Sequence, residues 1–336
     1  MDYGAEQRSH LAAALGPAFR RGQRAAIFDF PFYLNPGDSA IWLGTARWLS
    51  DHGVAVHSVH RRESLERGMW PELDRDVVVV FMGGGNFGDL YPEHQALRIA
   101  ALSRYPENPV VHFPQTLNYH DPSQSGEISA ALSGRPSVTM AWRDRPSLAA
   151  AERLLPGPTH VLSPDAACGF PGWVRSREAR DDFVSVRRTD AEASPDEAVR
   201  SFGRTVDWDI GLVRKVEWKG LSALHALLDG VGRVASAPAR ALRTSMYAEL
   251  TRVNLDAALD TLSSGRVVVT DRLHGHILCA LMRVPHIALP DRYGKVQHYY
   301  ETWSQDDPLS VFLHHASRLE AEASRLLEQA RASAKG

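Results

Sequence analysis

Arg272 and His274 stand two residues apart in the run Thr270-Asp271-Arg272-Leu273-His274-Gly275-His276. The run joins a β-branched segment, 266–270, to an apolar stretch with helical spacing, 273–282. A helix starting there adds the partial positive charge of its N-terminus to the fixed charge of Arg272. Histidine titrates near neutrality, so His274 can give or take a proton beside a bound anion. His276, one turn further in, suits packing better than chemistry. Lys295 follows the next apolar segment, 285–289, in Asp291-Arg292-Tyr293-Gly294-Lys295. It could converge on the same anion, or sit at the surface as the first residue of a helix. Arg143 follows a third such segment, 137–142, where its planar fork could grip a carboxylate or phosphate with two bonds.

Two further runs are poor in cations and rich in small and polar groups. Asn35-Pro36-Gly37-Asp38 precedes a stretch with helical spacing, 38–51. Asp38 reads most simply as the helix cap; Asn35 and Asp38 in a cleft would instead contact sugar hydroxyls. Gly83-Gly84-Gly85-Asn86-Phe87-Gly88-Asp89 follows the run D-V-V-V-V-F-M at 76–82. Its spacing fits a dinucleotide fingerprint, but that needs an acidic residue about 20 positions on, at the end of the next strand. Here that strand ends in His112-Phe113-Pro114-Gln115, without an acid. Glycines at Gly84 and Gly85 would rather let a ligand or a facing lobe approach the backbone, with Asn86 beside it. Arg187 and Arg188 could add charge, and Ser163-Pro164-Asp165 lies near a hinge. Trp42, Trp48, Trp142, Trp173 and Trp303 read as core. No spacing of metal ligands or of a phosphate-binding P-loop stands out, so no metal and no resident cofactor is expected.

These residues need a scaffold that brings strand ends together. Apolar runs at 25–30, 54–59, 76–82, 109–113, 137–142 and 159–162 alternate with helical spacing at 38–51, 93–104 and 146–155. That alternation predicts an α/β chain with parallel sheets, whose ligands lie at the carboxyl ends of the strands. After the Gly/Pro/Arg-rich stretch 169–180 the pattern restarts. Strands are predicted at 182–187, 266–270 and 285–289, and helices at 195–202, 221–228, 242–262 and 273–282. The predicted architecture is two Rossmann-like lobes facing a central cleft, similar to GT-B glycosyltransferases. Residues 1–168 are expected to form the first lobe and 169–310 the second; the resemblance set out below makes the first the acceptor side and the second the donor side. A helix over 311–332 within the tail 311–336 could cross back onto the first lobe or pair with a partner.

Composition narrows the classes. At 336 residues the chain can fill two cores. A formal net charge of −2 argues against a broad nucleic-acid surface, so any anion site is local. Two cysteines without CxxC spacing argue against a disulfide framework or a structural zinc site. The N-terminal residues lack a signal-like apolar run, and no apolar run is long enough to span a bilayer. The expected location is cytoplasmic, with peripheral membrane attachment left open.

Taken together, NPGDSAIW (35–42), GGGNFGDLY (83–91), WRDRPS (142–147), SPDAA (163–167), TDRLHGHILCALMRVPHIAL (270–289) and YGKVQHYYETW (293–303) resemble the polysaccharide pyruvyltransferase family. The resemblance spans about residues 25–305, and DRLHGH with YGKV is its most specific part. It implies a GT-B-like fold, phosphoenolpyruvate as donor and co-substrate, and a hydroxyl pair on a lipid-linked or polymeric glycan as acceptor. By position it implies Arg143, Arg272 and Lys295 at the donor, with Arg272 and His274 catalytic. Asn35, Asp38, Gly84, Gly85 and Asn86 would serve the acceptor. The competing readings are a nucleotide-sugar glycosyltransferase, a non-catalytic glycan-binding module, and a nicotinamide-dependent oxidoreductase, the last disfavoured by the missing ribose-binding acid.

Overall fold

The computed structural model describes residues 2–189, 202–208, 215–224 and 237–333. Its strands form two separate sheets, each parallel throughout. The first holds β1 (Arg24–Phe28), β2 (Ala55–His60), β3 (Val78–Phe81), β4 (Gly84–Gly88), β5 (Val110–Asn118), β6 (Val138–Trp142) and β7 (Thr159–Leu162). Its order is β2-β1-β3-β5-β6-β7, with β4 pairing β5 where β3 has ended. The second holds β8 (Asp181–Val186), β9 (Arg204–Val206), β10 (Gly265–Thr270), β11 (His286–Ala288) and β12 (Ser310–Phe312), in the order β12-β11-β10-β8-β9. The helices are α1 (Tyr3–Leu15), α2 (Pro36–Asp51), α3 (Arg62–Glu66), α4 (Pro92–Arg104), α5 (Gly126–Leu132) and α6 (Arg145–Leu154), then α7 (residues 215–224), α8 (Ala237–Ser264), α9 (Leu273–Leu281), α10 (Lys295–Trp303) and α11 (Leu319–Ser333). None of these helices is long and apolar enough to cross a membrane.

Both sheets are covered on both faces, which is why their strands read as apolar runs without alternation. In the first sheet Ile27, Val78 and Val80 pack with Ile41, Trp48 and Leu49 of α2. Their sequence neighbours Phe28, Val79 and Phe81 pack on the opposite face with Leu97 and Ala101 of α4. In the second, Val268 faces α9 and α10, while Val267 and Val269 face Ala323 and Leu326 of α11. Fully burying each such side chain stabilises by about 1.5–3 kcal/mol. Two helices tie the sheets together. α8 gives Tyr247 and Leu250 to the first core and Leu255 and Leu262 to the second. α1 does the same with Leu11 and Leu15 against Tyr3.

Two local departures from the sequence reading have physical causes. The strand expected to stop at 113 runs on to Asn118 through Pro114. Proline lacks the ladder N–H, and it sits where the pairing partner changes from β3 to β4 and the register with β6 shifts. The tail expected to be helical from 311 begins as β12, whose Val311 and Phe312 pair with β11, and the helix starts only at Leu319. That helix stays on the second sheet. The helix expected over 195–202 falls almost entirely outside the described residues. The one expected over 221–228 is seen as the end of α7, with 225–228 outside them.

Candidate active site

The carboxyl ends of both sheets open onto one cavity of about 360 Å³. Its wall includes Asn35, Asp38, Gly85, Asn86, Arg143, Arg272, His274 and Lys295. The N-termini of α2 and α9 meet there. A Cβ on Gly37 would lie only 2.3 Å from Nδ1 of His274, so the glycine is what lets the two helix starts touch. Gly84, with φ of 135°, sits one residue behind the wall. The glycine run forms a strand, not a turn into a helix, since α4 begins only at Pro92. This is not the phosphate-binding geometry of a dinucleotide fold.

Arg143 is buried at the end of β6. Its Nε donates to Thr116 Oγ1 (2.7 Å) and its Nη1 to Asp165 Oδ2 (2.9 Å), while its carbonyl accepts from Trp303 Nε1 (2.9 Å). That fixes the fork with Nη2 towards Gly85: a Cβ there would be 3.0 Å from Nη2 and 3.6 Å from Nζ of Lys295. Lys295 is 7% exposed and opens α10 behind Gly294, whose φ is 70°. The surface reading of this lysine is thereby excluded, and its Nζ lies 5.3 Å from the Tyr293 ring centroid. His274 points Nε2 at Asp165 Oδ2 from 3.4 Å, an ion-pair distance outside hydrogen-bond alignment. Asp165 is completely buried and faces both Arg143 and His274, with Oδ1 capping the following turn at Ala167 N (2.9 Å). Burial alone would raise its carboxyl; His274, Arg143 and the Ala167 amide hold it far below the usual range. Arg272 comes to the cavity bound to the Asp207 carboxylate, its guanidinium 5.7 Å from the Trp208 ring centroid. Its neighbour Asp271 is held by Arg187 Nε (3.2 Å) and Arg188 N (2.8 Å).

The opposite wall is acidic and amide-rich. Asn35, not Asp38, caps α2: its Oδ1 accepts from Gly37 N (3.0 Å). The capping role expected of Asp38 is therefore wrong, and its side chain turns into the cavity. Asp38 Oδ2 accepts from Tyr33 Oη (2.9 Å) and Asn35 Nδ2 (2.7 Å). Burial raises the Asp38 carboxyl above its ordinary value despite His274, Tyr33 and Arg143 nearby. Asn86 reaches across to Asp29 Oδ2 (3.3 Å), and Asp29 bonds His94 Nδ1 through both oxygens (2.9 and 2.7 Å). His276 is fully buried between His286 Nε2 (2.7 Å) and Ser304 Oγ (3.0 Å), a packing role.

Sequence reasoning passed over Asp29, His94 and Trp208, and valued Asp165 only as hinge-proximal. Asp165 carries one legible signal, an acid in the loop just after a strand at the ligand edge. Asp29 falls inside the run 25–30 read as a strand, which ends at Phe28, and its φ of 71° and its pairing with a histidine from α4 do not show in the chain order.

Comparison with known proteins follows the same outline. The family described as polysaccharide pyruvyl transferase matches residues 35–292. Pyruvyl transferase 1 of Schizosaccharomyces pombe is 30% identical over 293 residues, 84% of this chain and 70% of that protein. EpsO of Bacillus subtilis is 26% identical over 292 residues, covering 87% and 89% of the two chains. A crystal structure of a Klebsiella pneumoniae protein superposes with a TM-score of 0.59 over 92% of this chain and 99% of that one; at 16% identity the likeness concerns the fold. On the span of the family match and the identity to the yeast protein, this chain belongs to the polysaccharide pyruvyl transferase family.

Proposed function

We propose that this protein transfers pyruvate from phosphoenolpyruvate to two hydroxyls of a sugar in a glycan, forming a ketal, in a GT-B-like cleft. The observation that carries the reading is the meeting of Arg143 Nη2 and Lys295 Nζ over Gly85, within one cavity with His274 and Arg272. Phosphoenolpyruvate bears a phosphate and a carboxylate on one carbon. Fixed, partly desolvated cations suit a head with two adjacent anionic groups. The α9 N-terminus adds to them.

His274 then protonates the methylene carbon. The double bond is consumed, and the carbon bearing phosphate becomes electron-deficient. One sugar hydroxyl adds there and loses its proton. The carbon–oxygen bond to phosphate breaks, and phosphate leaves with the bonding pair. The second hydroxyl closes the ring and loses its proton in turn. One of the two hydroxyl protons replaces the one given by His274, and the other leaves with phosphate. Asp165 holds His274 in place and offers a counter-charge to its protonated form. Asn35, Asp38 and Asn86 bind the acceptor, with the ring of Tyr33 beside them, while Gly85, assigned to the acceptor by the resemblance, lies under the donor cations.

The test is phosphate release from phosphoenolpyruvate with methyl glucoside, galactoside and mannoside and with lipid-linked glycans as acceptors, together with mass analysis of the products. A product with the mass of a pyruvate ketal supports the reading. Transfer of a sugar from a nucleotide donor, without consumption of phosphoenolpyruvate, would replace it with glycosyl transfer.

A further inference from the structure

Ketal formation frees two hydroxyl protons. His274 takes back the one it gave, and the other ends on the departing phosphate, so a base on the acceptor side of the cavity would carry it there. We propose that His94, oriented by Asp29, is the base that takes the proton of one acceptor hydroxyl. The proposal rests on the pyruvyl-transfer reading and adds a catalytic residue to it.

Asp29 directly follows β1, 6% exposed, in a left-handed backbone conformation with φ of 71°. Conformations of that kind cost energy in a residue with a Cβ and persist where the surroundings enforce them. Here the outcome is a carboxylate aimed at Nδ1 of His94 through both oxygens, 2.9 and 2.7 Å away. The Asn86 amide behind it has one orientation. Its Oδ1 accepts from Gln115 Nε2 (2.9 Å) and from Arg98 Nη2, so its Nδ2 is a donor, 3.3 Å from Asp29 Oδ2 and 3.1 Å from His94 Nδ1; the two carboxylate contacts of Nδ1 are the shorter ones. Burial alone would raise the Asp29 carboxyl; the His94 hydrogen bond, the charge of Arg98 and the Asn86 amide oppose it, and the charge His94 carries when protonated adds to them, leaving it below its usual value. An ionised carboxylate can only accept, which assigns the shared proton to His94 Nδ1. In the neutral ring Nε2 then carries the lone pair. His94 lines the cavity with Asp38 and His274. A buried carboxylate that fixes the tautomer of a catalytic imidazole is the arrangement of the serine-hydrolase triad.

In the step, the hydroxyl oxygen bonds to the electron-deficient carbon as its O–H bond breaks. The proton passes to His94 Nε2 and on to the departing phosphate. Asp38 is the rival base, but its Oδ2 already accepts from Tyr33 and Asn35. It holds the acceptor.

The test uses His94→Gln, Asp29→Asn and Asp38→Asn in the full chain. Asparagine tolerates φ near 71° better than most residues, so Asp29→Asn tests charge with little backbone strain. Three quantities are read: calorimetric Kd for phosphoenolpyruvate, kcat for phosphate release with the acceptor panel above, and the tautomer of His94 from nitrogen-15 NMR. Expected for His94→Gln are a Kd within about twofold of wild type and a kcat lowered by about 10²–10³, the range of a positioned base. Asp29→Asn should lower kcat by about tenfold and disturb a tautomer that is Nδ1–H in the wild type. Asp38→Asn should act mainly on acceptor KM. The proposal is overturned by a His94→Gln variant with near-wild-type kcat, by loss of donor binding in step with turnover, or by a wild-type His94 protonated only on Nε2. A folded wild-type protein that does not bind phosphoenolpyruvate would fail the donor reading itself, which the calorimetry separates from a failure confined to His94.

Discussion

Replacing Asp165 with Asn should damage both stability and turnover while sparing donor binding. The carboxylate is fully buried, 2.9 Å from Arg143 Nη1 and 3.4 Å from His274 Nε2. With an effective dielectric of about 20, its attraction to Arg143 at 2.9 Å is about 6 kcal/mol, and to a protonated His274 at 3.4 Å about 5 kcal/mol. Asparagine keeps the shape and the bond to Ala167 N but not the charge. Its own lost desolvation cost offsets part of the gap, which leaves a net loss of about 3 kcal/mol, the low end for stranding one member of a buried pair. Apparent Tm should fall by roughly 6–10 °C. The pH signature follows from the depressed carboxyl. Its stabilising contribution is complete above the unfolded value, near 3.9, and is lost as pH falls through the lower folded value. The part of the difference from wild type that comes from the carboxylate and Arg143 should therefore be present above pH 5 and close as pH falls below 4. His274 loses both its counter-charge and its anchor, so kcat should fall about a hundredfold, equivalent to about 2.7 kcal/mol. Donor Kd should be unchanged or tighter, because a negative charge has left an anion site. The assays are thermal melting across pH, phosphate release and calorimetry. A variant within 1 °C of wild type in Tm, with kcat within about threefold, would refute the reasoning.

The remaining predictions come from the cavity floor, the acceptor wall and the buried histidines. Gly85→Ala sets a methyl 3.0 Å from Arg143 Nη2 and 3.6 Å from Lys295 Nζ; donor KM should rise about tenfold, roughly 1.4 kcal/mol, with Tm little changed. An unaltered KM would separate these cations from donor binding. Asp38 has a carboxyl raised by burial, so its ionised form costs stability once pH exceeds the folded value; Asp38→Asn should raise Tm by roughly 2 °C at pH 7.5 while lowering activity. A lower Tm would contradict that sign. Burial pushes His112 down to about 3, His286 down to about 4 and His276 well below its ordinary value. The unfolded chain takes up these protons first, so stability is complete above about pH 6.5 and falls as pH drops towards 4. A Tm flat between pH 6.5 and 4.5 would show that these histidines take up protons in the folded core as readily as in the unfolded chain.

The scaffold could be read from the sequence because parallel strands covered on both faces leave continuous β-branched runs, as at Val78–Phe81 and Gly265–Thr270. Positions where an acid or a cation directly follows such a run were also legible, which is how Arg143, Arg272 and His274 were singled out. The environments of these groups were not. Lys295 reads equally as surface or site until Gly85 is seen beneath it. Asp38 reads as a cap because capping is local, yet Asn35 three residues earlier does that work. Asp29 and His94 lie 65 residues apart, and their pairing depends on a backbone conformation that sequence periodicity does not encode. The strand at Ser310–Phe312 was hidden because three residues are too few to set a period against the helix that follows.

The central claim is that the cations around Gly85 bind phosphoenolpyruvate, and thermal melting with that ligand tests it most directly. A ligand that binds only the folded protein at a hundred times its Kd adds about 2.7 kcal/mol of apparent stability. Phosphoenolpyruvate should raise Tm in the wild type, Arg143→Ala should abolish the shift, and UDP should leave Tm unchanged. A shift with UDP and none with phosphoenolpyruvate would contradict the account and assign the cleft to a nucleotide-sugar donor.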